Sequence, residues 1–454
     1  MRRTKTSAAV LAVAALTLAG CATGTDSDTP TDGGTTAADT ATDDGADDTA
    51  TDEETTDDAA AGGGEGEVGV FTWWADGSEK VGLDALVEVF NAQYPDLTFV
   101  NLAVAGGAGS NAKAKLASDL ENDNPPDSFQ GHAGAELTDY IVNEQIEPVN
   151  DIIDQLGGAS VFPQDLLDRI TVGGDIFSVP SNIHRSNVVW ANPAVLEEAG
   201  ITEIPADIDA WLADMQKVKD SGVETPLSVG GTWTIVHLFE NVLLANLGAD
   251  DYAGLFDGST AWDSEGVTKS AEDMVKLLGF ANNASDGDDW VAPTDMVIDG
   301  TAAYNVMGDW AVGQFNERDQ VDNEDYVYFP VPGTDGVFNF LADSFTLPVG
   351  APNPEGAKDW LRTAGSVDGQ KAFNLAKGSI PARTDVPSDD FPAYQQSAIE
   401  SFGSDTIASS IAHGSAVNLA WLDDISTATA KFYSGKDAAT FVADLTAAAQ
   451  NHIG

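Results

Sequence analysis

A repeating order of strand-like and helix-like segments begins near Val68. The segment VGVFTW (68–73) is a short apolar run of the kind that forms a buried strand. In residues 78–94 the apolar side chains recur every three or four positions, which predicts an amphipathic helix that Pro95 ends. LTFVNLAV (97–104) then predicts a second strand, so this part of the chain is predicted to form a β-α-β unit.

The same alternation continues to the end of the chain. A glycine-rich turn, AGGAGSN (105–111), leads into a helical segment, AKAKLASDL (112–120). Residues 205–222 predict a helix that Asp207 caps and Gly222 ends, and a last helix is predicted over 438–451. The chain has no repeat of solenoid period. With 454 residues, it is predicted to be an α/β protein with two lobes.

The first 66 residues lack this pattern. Arg2, Arg3 and Lys5 precede a short apolar stretch that ends in LAGC, and Cys21 is the only cysteine of the chain. This arrangement resembles a bacterial lipoprotein signal, so we expect residues 1–21 to be a signal peptide and Cys21 to carry lipid. The alternative is an ordinary secretory signal with a chance cysteine. The protein is expected to be exported and lipid-anchored to the outer face of the cell membrane.

Residues 22–66 are composed mainly of Thr, Asp, Ala and Gly, without an aromatic residue, Lys or Arg. A segment of this composition buries too little apolar surface to offset the entropy lost on ordering. It is therefore predicted to be a disordered acidic tether, as in lipoproteins whose folded part is held away from the cell surface.

The chain is strongly acidic, with 20 Lys and Arg against 74 Asp and Glu and a formal net charge of −54. A polyanion of this kind repels nucleic acids and anionic membrane surfaces, which excludes nucleic-acid binding and leaves neutral or cationic ligands. A single cysteine leaves no disulfide framework and no cysteine-based metal site.

Motifs for catalysis and cofactors are absent or incomplete. The five histidines do not pair at three- or four-residue spacing, so no metal site is predicted. The glycine-rich turn at 105–111 lacks the third glycine of a dinucleotide fingerprint and fits a tight turn near a ligand better. There is no G-x-S-x-G motif. A carboxylate pair for glycoside hydrolysis stays possible, because acidic residues are abundant.

Polar and aromatic side chains recur in turn-like contexts. Gln130 and His132 are two residues apart and would share one face of an extended segment, while Asp343 interrupts an apolar run and therefore needs partners. The chain also has ten tryptophans. Aromatic rings stack on the apolar faces of sugars, and carboxylates, amides and imidazoles bond their hydroxyls. Together these residues predict a sugar site.

Six segments are similar, in chain order, to extracellular solute-binding proteins of bacterial ABC sugar importers, and most similar to the glucose/mannose-type monosaccharide binders. They are FTWWAD (71–76), PPDSFQGHAGAEL (125–137), VPSNIHRSNVVW (179–190), NVMGDWAVG (305–313), LADSFTLP (341–348) and KGSIPAR (377–383). The resemblance implies a two-lobe, maltose-binding-protein-like fold with a hinge cleft. It implies lobes of 67–185 with 336–374 and of 186–335 with 375–454.

The resemblance also implies the residues that bind substrate. These are Trp74, Gln130, His132, Trp290, Asp343, Lys377 and His413. Four more would lie nearby: Trp73, Asn182, Trp233 and Trp310. The chain departs from the family pattern in 281–294, around Trp290. Of the adjacent pair, Trp74 is expected to border the sugar, and Trp73 to pack behind it or line the same wall.

The function predicted is that of a monomeric receptor, not an enzyme. It would capture a monosaccharide, glucose foremost and galactose or mannose as alternatives, and deliver it to an ABC permease without any cofactor. Two alternatives stay open at this point: a surface glycoside hydrolase that uses a carboxylate pair in the cleft, and an adhesive or structural lipoprotein.

Overall fold

The computed structural model describes residues 64–75, 77–106, 109–285 and 287–453. The predicted signal peptide, the lipidation site Cys21 and all but the last three residues of the predicted tether lie outside them. Within these ranges, no helix is both long and apolar enough to cross a membrane.

The described strands are short and spread along the whole chain. They are β1 (Gly66–Phe71), β2 (Leu97–Asn101), β3 (Ser128–His132), β4 (Ile146–Glu147), β5 (Thr171–Val172), β6 (Asp175–Ile176), β7 (Val179–Pro180), β8 (His184–Arg185), β9 (Val188–Ala191), β10 (Leu227–Ser228), β11 (Tyr304–Val306), β12 (Val327–Pro330), β13 (Val337–Leu341), β14 (Asp343–Pro348) and β15 (Thr406–Ser409).

Helices alternate with these strands. They are α1 (Gly77–Gln93), α2 (Ser110–Glu121), α3 (Ala135–Val142), α4 (Asn150–Gln155), α5 (Gln164–Ile170), α6 (Pro193–Glu198), α7 (Ile208–Ser221), α8 (Thr232–Asp257), α9 (Glu265–Leu277), α10 (Val291–Ile298), α11 (Ala311–Glu317), α12 (Pro354–Gly365), α13 (Val367–Lys377), α14 (Ala393–Ser404), α15 (Leu419–Gly435) and α16 (Ala438–His452).

The first sheet has the strand order β2-β1-β3-β14-β4, with β7 also paired to β14. Strand β1 is parallel to β2 and β3, whereas β14 runs antiparallel to β3. The predicted β-α-β unit is therefore present as β1, α1 and β2. The chain leaves this sheet after β7 and returns to it only at β14, so the sheet is built from distant segments.

A second sheet has the order β10-β11-β9-β12, and a three-stranded sheet, β15-β13-β8, contains the two segments that pass between the larger sheets. The hydrophobic residues form two separate cores. One is built around the first sheet, with members such as Val70 and Phe345, and the other packs α8, α9, α15 and α16 around the second. This is the predicted two-lobe α/β architecture. The exact lobe boundaries stay a prediction.

Helix α7 shows how closely local signals fix an element. Asp207 accepts a hydrogen bond from the backbone N–H of Ala210, as an N-cap does, and Trp211 and Met215 are fully buried. The helix ends where Gly222 adopts the left-handed conformation. The predicted C-terminal helix is α16. The first strand ends at Phe71, two residues earlier than predicted.

Candidate ligand-binding site

A cleft opens at the carboxyl ends of the parallel strands β1 and β3, the edge at which open α/β sheets commonly bind ligands. It holds about 440 Å³ of space free of protein atoms, part of which is open to solvent. Its lining residues are mostly aromatic or ionisable. They are Trp73, Trp74, Glu79, Gly106, Gly109, His132, His184, Trp233, Asp289, Trp290, Trp310, Leu341, Asp343, Lys377 and His413.

Both tryptophans of the adjacent pair line the cleft. Since β1 ends at Phe71, the alternation of side chains along a strand does not govern Trp73 and Trp74. Trp74 packs its ring against Phe373 at 4.9 Å between centroids. A Cβ atom on Gly109 would lie 2.8 Å from the ring of Trp73, so the turn before α2 needs glycine there.

The facing wall is formed by three tryptophans at the starts of helices: Trp233 at α8, Trp290 just before α10 and Trp310 just before α11. The indole N–H of Trp233 donates to Asp289 Oδ1 at 2.9 Å. The Trp310 ring lies 6.4 Å from that of Trp233. This wall therefore offers aromatic faces edged by one carboxylate.

Asp343, the first residue of β14, is the centre of the polar floor. Its Oδ1 accepts from Gln130 Nε2 at 2.7 Å, and its Oδ2 accepts from Asn182 Nδ2 at 2.9 Å. His132 Nε2 and His184 Nε2 approach the same two oxygens at 3.5 and 3.3 Å. The costly isolated carboxylate suspected from the sequence thus has four protein partners.

The charges around Asp343 decide its protonation. Burial opposes ionisation, but the hydrogen bond from His184 and the positive charges of His132, His184 and Lys377 hold the pKa of Asp343 well below its usual range. His184 also contacts Asp309 through Nδ1. Burial lowers the pKa of His184, yet Asp309 and Asp343 together raise it above its ordinary value. The floor is therefore a charged, hydrogen-bonded network.

Lys377 ends helix α13 and closes the floor beside Trp74. Its Nζ donates to Glu79 Oε1 at 2.8 Å and lies 5.4 Å from the centre of the Trp74 ring. Burial raises the pKa of Glu79, and the charge of Lys377 opposes that rise. Helices α1 and α13 pack against each other, which brings Glu79 and Lys377 together across 298 positions of sequence.

His132 is held from behind by an ion pair. Its Nδ1 lies 2.9 Å from Glu136 Oε2, an oxygen that also accepts from Lys113 Nζ at 2.8 Å. Glu136 is fully buried, yet the charges of Lys113 and His132 lower its pKa despite that burial. With Nδ1 directed at Glu136, His132 presents Nε2 to Asp343 and the cleft.

His413 lies at the other end of the cleft, 5.1 Å between ring centres from Trp310. Its Nδ1 is 2.9 Å from Ser410 Oγ, and Ser410 in turn bonds the carboxylate of Glu240. Burial, with the positive charge of nearby residues, lowers the pKa of His413 well below its ordinary value, so the imidazole is neutral.

His237, Glu240 and His413 form a buried group whose ligand atoms lie within 4.8 Å of one another. Such a trio can bind a metal ion in principle. Here both Glu240 oxygens already accept from protein donors, among them the backbone N–H groups of Ile411 and Ala412. The arrangement is therefore that of a hydrogen-bond network, as far as the described residues show.

The predicted site residues fall into two groups. Those that line the cleft are Trp73, Trp74, His132, Trp233, Trp290, Trp310, Asp343, Lys377 and His413. Gln130 and Asn182 lie one layer behind, where they bond Asp343 and do not line the cleft. The roles of all eleven in ligand binding stay a prediction.

Sequence reasoning missed several lining residues. Glu79 stands in the first turn of α1 and reads as an ordinary surface acid, and Asp289 is one of several acids in a polar loop. His184 stands in the VPSNIHRSN segment but was not among the predicted binding residues. Its position two residues after Asn182 was the available signal, because both would then point to the same side of an extended segment.

Most of this chain is similar in sequence to known binding proteins. Residues 74–371 match the family of bacterial extracellular solute-binding proteins. An uncharacterised ABC transporter extracellular-binding protein of Pyrococcus horikoshii is 35% identical over 376 residues, covering 82% of this chain and 84% of the relative. A probable sugar-binding periplasmic protein of Rhizobium meliloti is 31% identical, covering 77% and 85% of the two chains.

A solved structure gives the same fold. A bacterial solute receptor described as having an exclusive preference for β-D-galactopyranose superposes with a TM-score of 0.74 at 18% identity, covering 86% of this chain and 98% of the receptor. The chain belongs to the bacterial extracellular solute-binding protein family. It is a binding protein and not an enzyme, as predicted, which sets aside the glycoside hydrolase reading.

Proposed function

We propose that this protein is the receptor of an ABC sugar importer and binds one monosaccharide, glucose foremost, in the cleft. The observation that carries the proposal is that tryptophans on facing walls and a buried, ionised carboxylate, Asp343, line the same cleft. Indole rings match the apolar faces of a pyranose, and charged groups bond its hydroxyls more strongly than neutral ones. The name of the Rhizobium relative supports a sugar as the ligand, and that of the galactose receptor supports a monosaccharide.

A single sugar ring is proposed because the chain resembles monosaccharide binders. Glucose is preferred to galactose or mannose because of the resemblance to glucose/mannose-type binders.

The residues are proposed to divide the work between faces and hydroxyls. Trp74, Trp290 and Trp310 would contact the faces of the ring. Lys377 would donate to a hydroxyl, and His132 and His413 would each bond another. Gln130 and Asn182 would hold Asp343 in place from behind, so that its remaining capacity as an acceptor faces the sugar.

The cleft lies between the sheets of the two lobes, so a sugar that contacts both would favour the closed arrangement through the extra contacts made there. The importer's permease would receive the sugar when the lobes reopen. Lipidation at Cys21 would keep the receptor, as a monomer, at the membrane's outer face.

Calorimetric titration of the full chain with glucose, galactose, mannose, xylose and maltose tests this proposal. We expect one-to-one binding of a single hexose with micromolar or tighter Kd. Binding of maltose alone would keep the receptor but refute the monosaccharide. Absence of binding across the panel would refute the proposed ligand class.

A further inference from the structure

Glu240 lies in the middle of helix α8, is fully buried, and accepts hydrogen bonds from five different residues. The donors come from three separate parts of the chain. They are Ser186 Oγ at 3.0 Å, Asn339 Nδ2 at 3.2 Å, Ser410 Oγ at 2.9 Å, Ile411 N at 2.5 Å and Ala412 N at 2.9 Å. The carboxylate thus fixes the loop 410–412, which leads directly to His413.

The direction of the hydrogen bonds through Ser410 follows from counting protons. A serine hydroxyl has one proton, and Ser410 Oγ lies 2.9 and 3.0 Å from the two oxygens of Glu240. An ionised carboxylate only accepts, so Ser410 donates to it. Its contact with His413 Nδ1, at 2.9 Å, must then be one in which the imidazole N–H donates to Ser410.

A neutral imidazole has one N–H, so a proton on Nδ1 leaves a lone pair on Nε2. His413 lines the cleft, and within the described part of the chain no hydrogen bond to its Nε2 is found. That nitrogen is therefore free to accept a hydrogen bond from a bound molecule.

We propose that Glu240 is a positioning residue that, through Ser410, holds His413 in the tautomer whose Nε2 accepts a hydrogen bond from a hydroxyl of the sugar. The inference rests on the proposed function. It explains why this end of the cleft would favour a ligand hydroxyl that donates a hydrogen bond. Glu240 itself does not touch the ligand, since it does not line the cleft.

Protonation of Glu240 would reverse the direction of these hydrogen bonds. A carboxylic acid can donate to Ser410, and the serine hydroxyl can then donate to Nδ1 of His413. Burial raises the pKa of Glu240 to about 7, although its hydrogen bonds oppose that rise. The titratable groups that face it are His237 and Tyr252 on α8 and His413 after β15. The β8–β9 connection and β13 present Ser186 and Asn339, which carry no charge.

The direct test is the tautomer of His413, read from the ¹⁵N resonances of its ring in the full chain labelled at histidine. For the unliganded protein at pH 8 we expect a protonated Nδ1 and an unprotonated Nε2. The variant Glu240→Gln should lose or reverse this preference, since an amide can donate to Ser410. The variant Ser410→Ala, which keeps Glu240, should also lose it. A matched control, Asp273→Asn, removes another buried carboxylate and should leave it unchanged.

An Nε2–H tautomer in the unmodified chain at pH 8, or an unchanged tautomer in both variants, would overturn the proposal. This readout needs no ligand, so it stands even if the sugar panel fails. Zinc titration is a second arm: tight zinc binding that is lost in Glu240→Gln would show a metal site and refute the relay.

The pH dependence of the Kd for the sugar is a second test, because a merely structural role of Glu240 would not change it. For the sugar that binds, Glu240→Gln should weaken binding about three- to tenfold at pH 8, the contribution of one hydrogen bond. In the unmodified chain the Kd should rise by a similar factor between pH 8 and 6, whereas in the variant this component should vanish. Identical pH profiles for the two proteins would contradict the inference.

Discussion

Asp343 and Glu240 are two buried carboxylates that differ in the charge around them. Each accepts several hydrogen bonds and neither is exposed to solvent. The basic residues His132, His184 and Lys377 surround Asp343, whose pKa lies well below its usual range. Neutral donors surround Glu240, and burial raises its pKa to about 7.

At Glu240 the hydrogen bonds do not offset the effect of burial on the pKa, whereas at Asp343 the hydrogen bond from His184 and the nearby basic residues do. Asp343 is thus a permanent charge on the cleft floor, suited to hold an array of donors in fixed positions. Glu240 changes protonation near neutral pH, suited to a role that responds to its surroundings.

Asp343→Asn should have the largest effect. It removes the carboxylate that His184 and Lys377 share and leaves each with one other carboxylate, Asp309 or Glu79. Removing one partner of a buried ion pair costs about 3–5 kcal/mol. We expect a loss of this size in the free energy of unfolding, measured by urea denaturation at pH 7. Asp273→Asn is the control, because its partners Lys269 and Lys276 are half-exposed and should rehydrate. Equal, small losses in both variants would contradict the network.

Glu240→Gln should change stability in a pH-dependent way. The folded pKa of Glu240 is raised from about 4.5 to about 7, so its contribution to stability is fully present below pH 4.5 and lost as pH rises through 7. The unfolding free energy of the variant, relative to that of the unmodified chain, should therefore increase by about 3 kcal/mol from pH 4.5 to 8. A difference in unfolding free energy that is constant with pH would show that the pKa of Glu240 is not raised in the folded protein.

His237→Leu should show the opposite trend. His237 is buried, neither ring nitrogen has a hydrogen-bond partner among the described residues, and burial lowers its pKa to about 3. The unmodified chain therefore loses stability as pH falls below about 6.5, by about 2 kcal/mol at pH 5 from this residue. The variant should be spared that loss when thermal unfolding is followed from pH 7.5 to 5. A variant equally sensitive to acid would refute the assignment.

Trp233→Phe should have the smallest effect, because the aromatic wall carries little charge. The change removes the hydrogen bond to Asp289 and part of one ring face. We expect the sugar that binds to lose about 1 kcal/mol of binding free energy, about fivefold in Kd. Trp211→Phe, which alters a core tryptophan of α7, is the control and should leave the Kd unchanged.

Sequence reasoning succeeded where the determinants are local. The cap Asp207, the buried Trp211 and the terminal Gly222 of α7 are all set by residues within one helix. The β-α-β unit followed from the spacing of apolar residues between 68 and 104. The second strand ends at Asn101, three residues earlier than predicted. The sequence has no Gly or Pro after Asn101 that would have marked this end.

For the cleft, the sequence indicated which segments contribute residues, but not which side chains contact one another. The resemblance to known binders predicted Asp343 and His413 as binding residues, but it did not indicate that Gln130 would lie behind the carboxylate. Glu79 and Glu240 could not be singled out among 74 acidic residues, since their partners are brought to them only by packing. Helical periodicity can be seen in the spacing of residues along the sequence, but contacts between distant segments cannot.

A crystal structure of the full chain grown with the sugar that titrates best tests the central claim most directly. The account predicts one pyranose ring in the cleft, with Trp74, Trp290 or Trp310 against its faces, Lys377 on one hydroxyl, and His413 Nε2 accepting from another. A sugar bound outside the cleft, or one that contacts neither Asp343 nor the tryptophans, would contradict it.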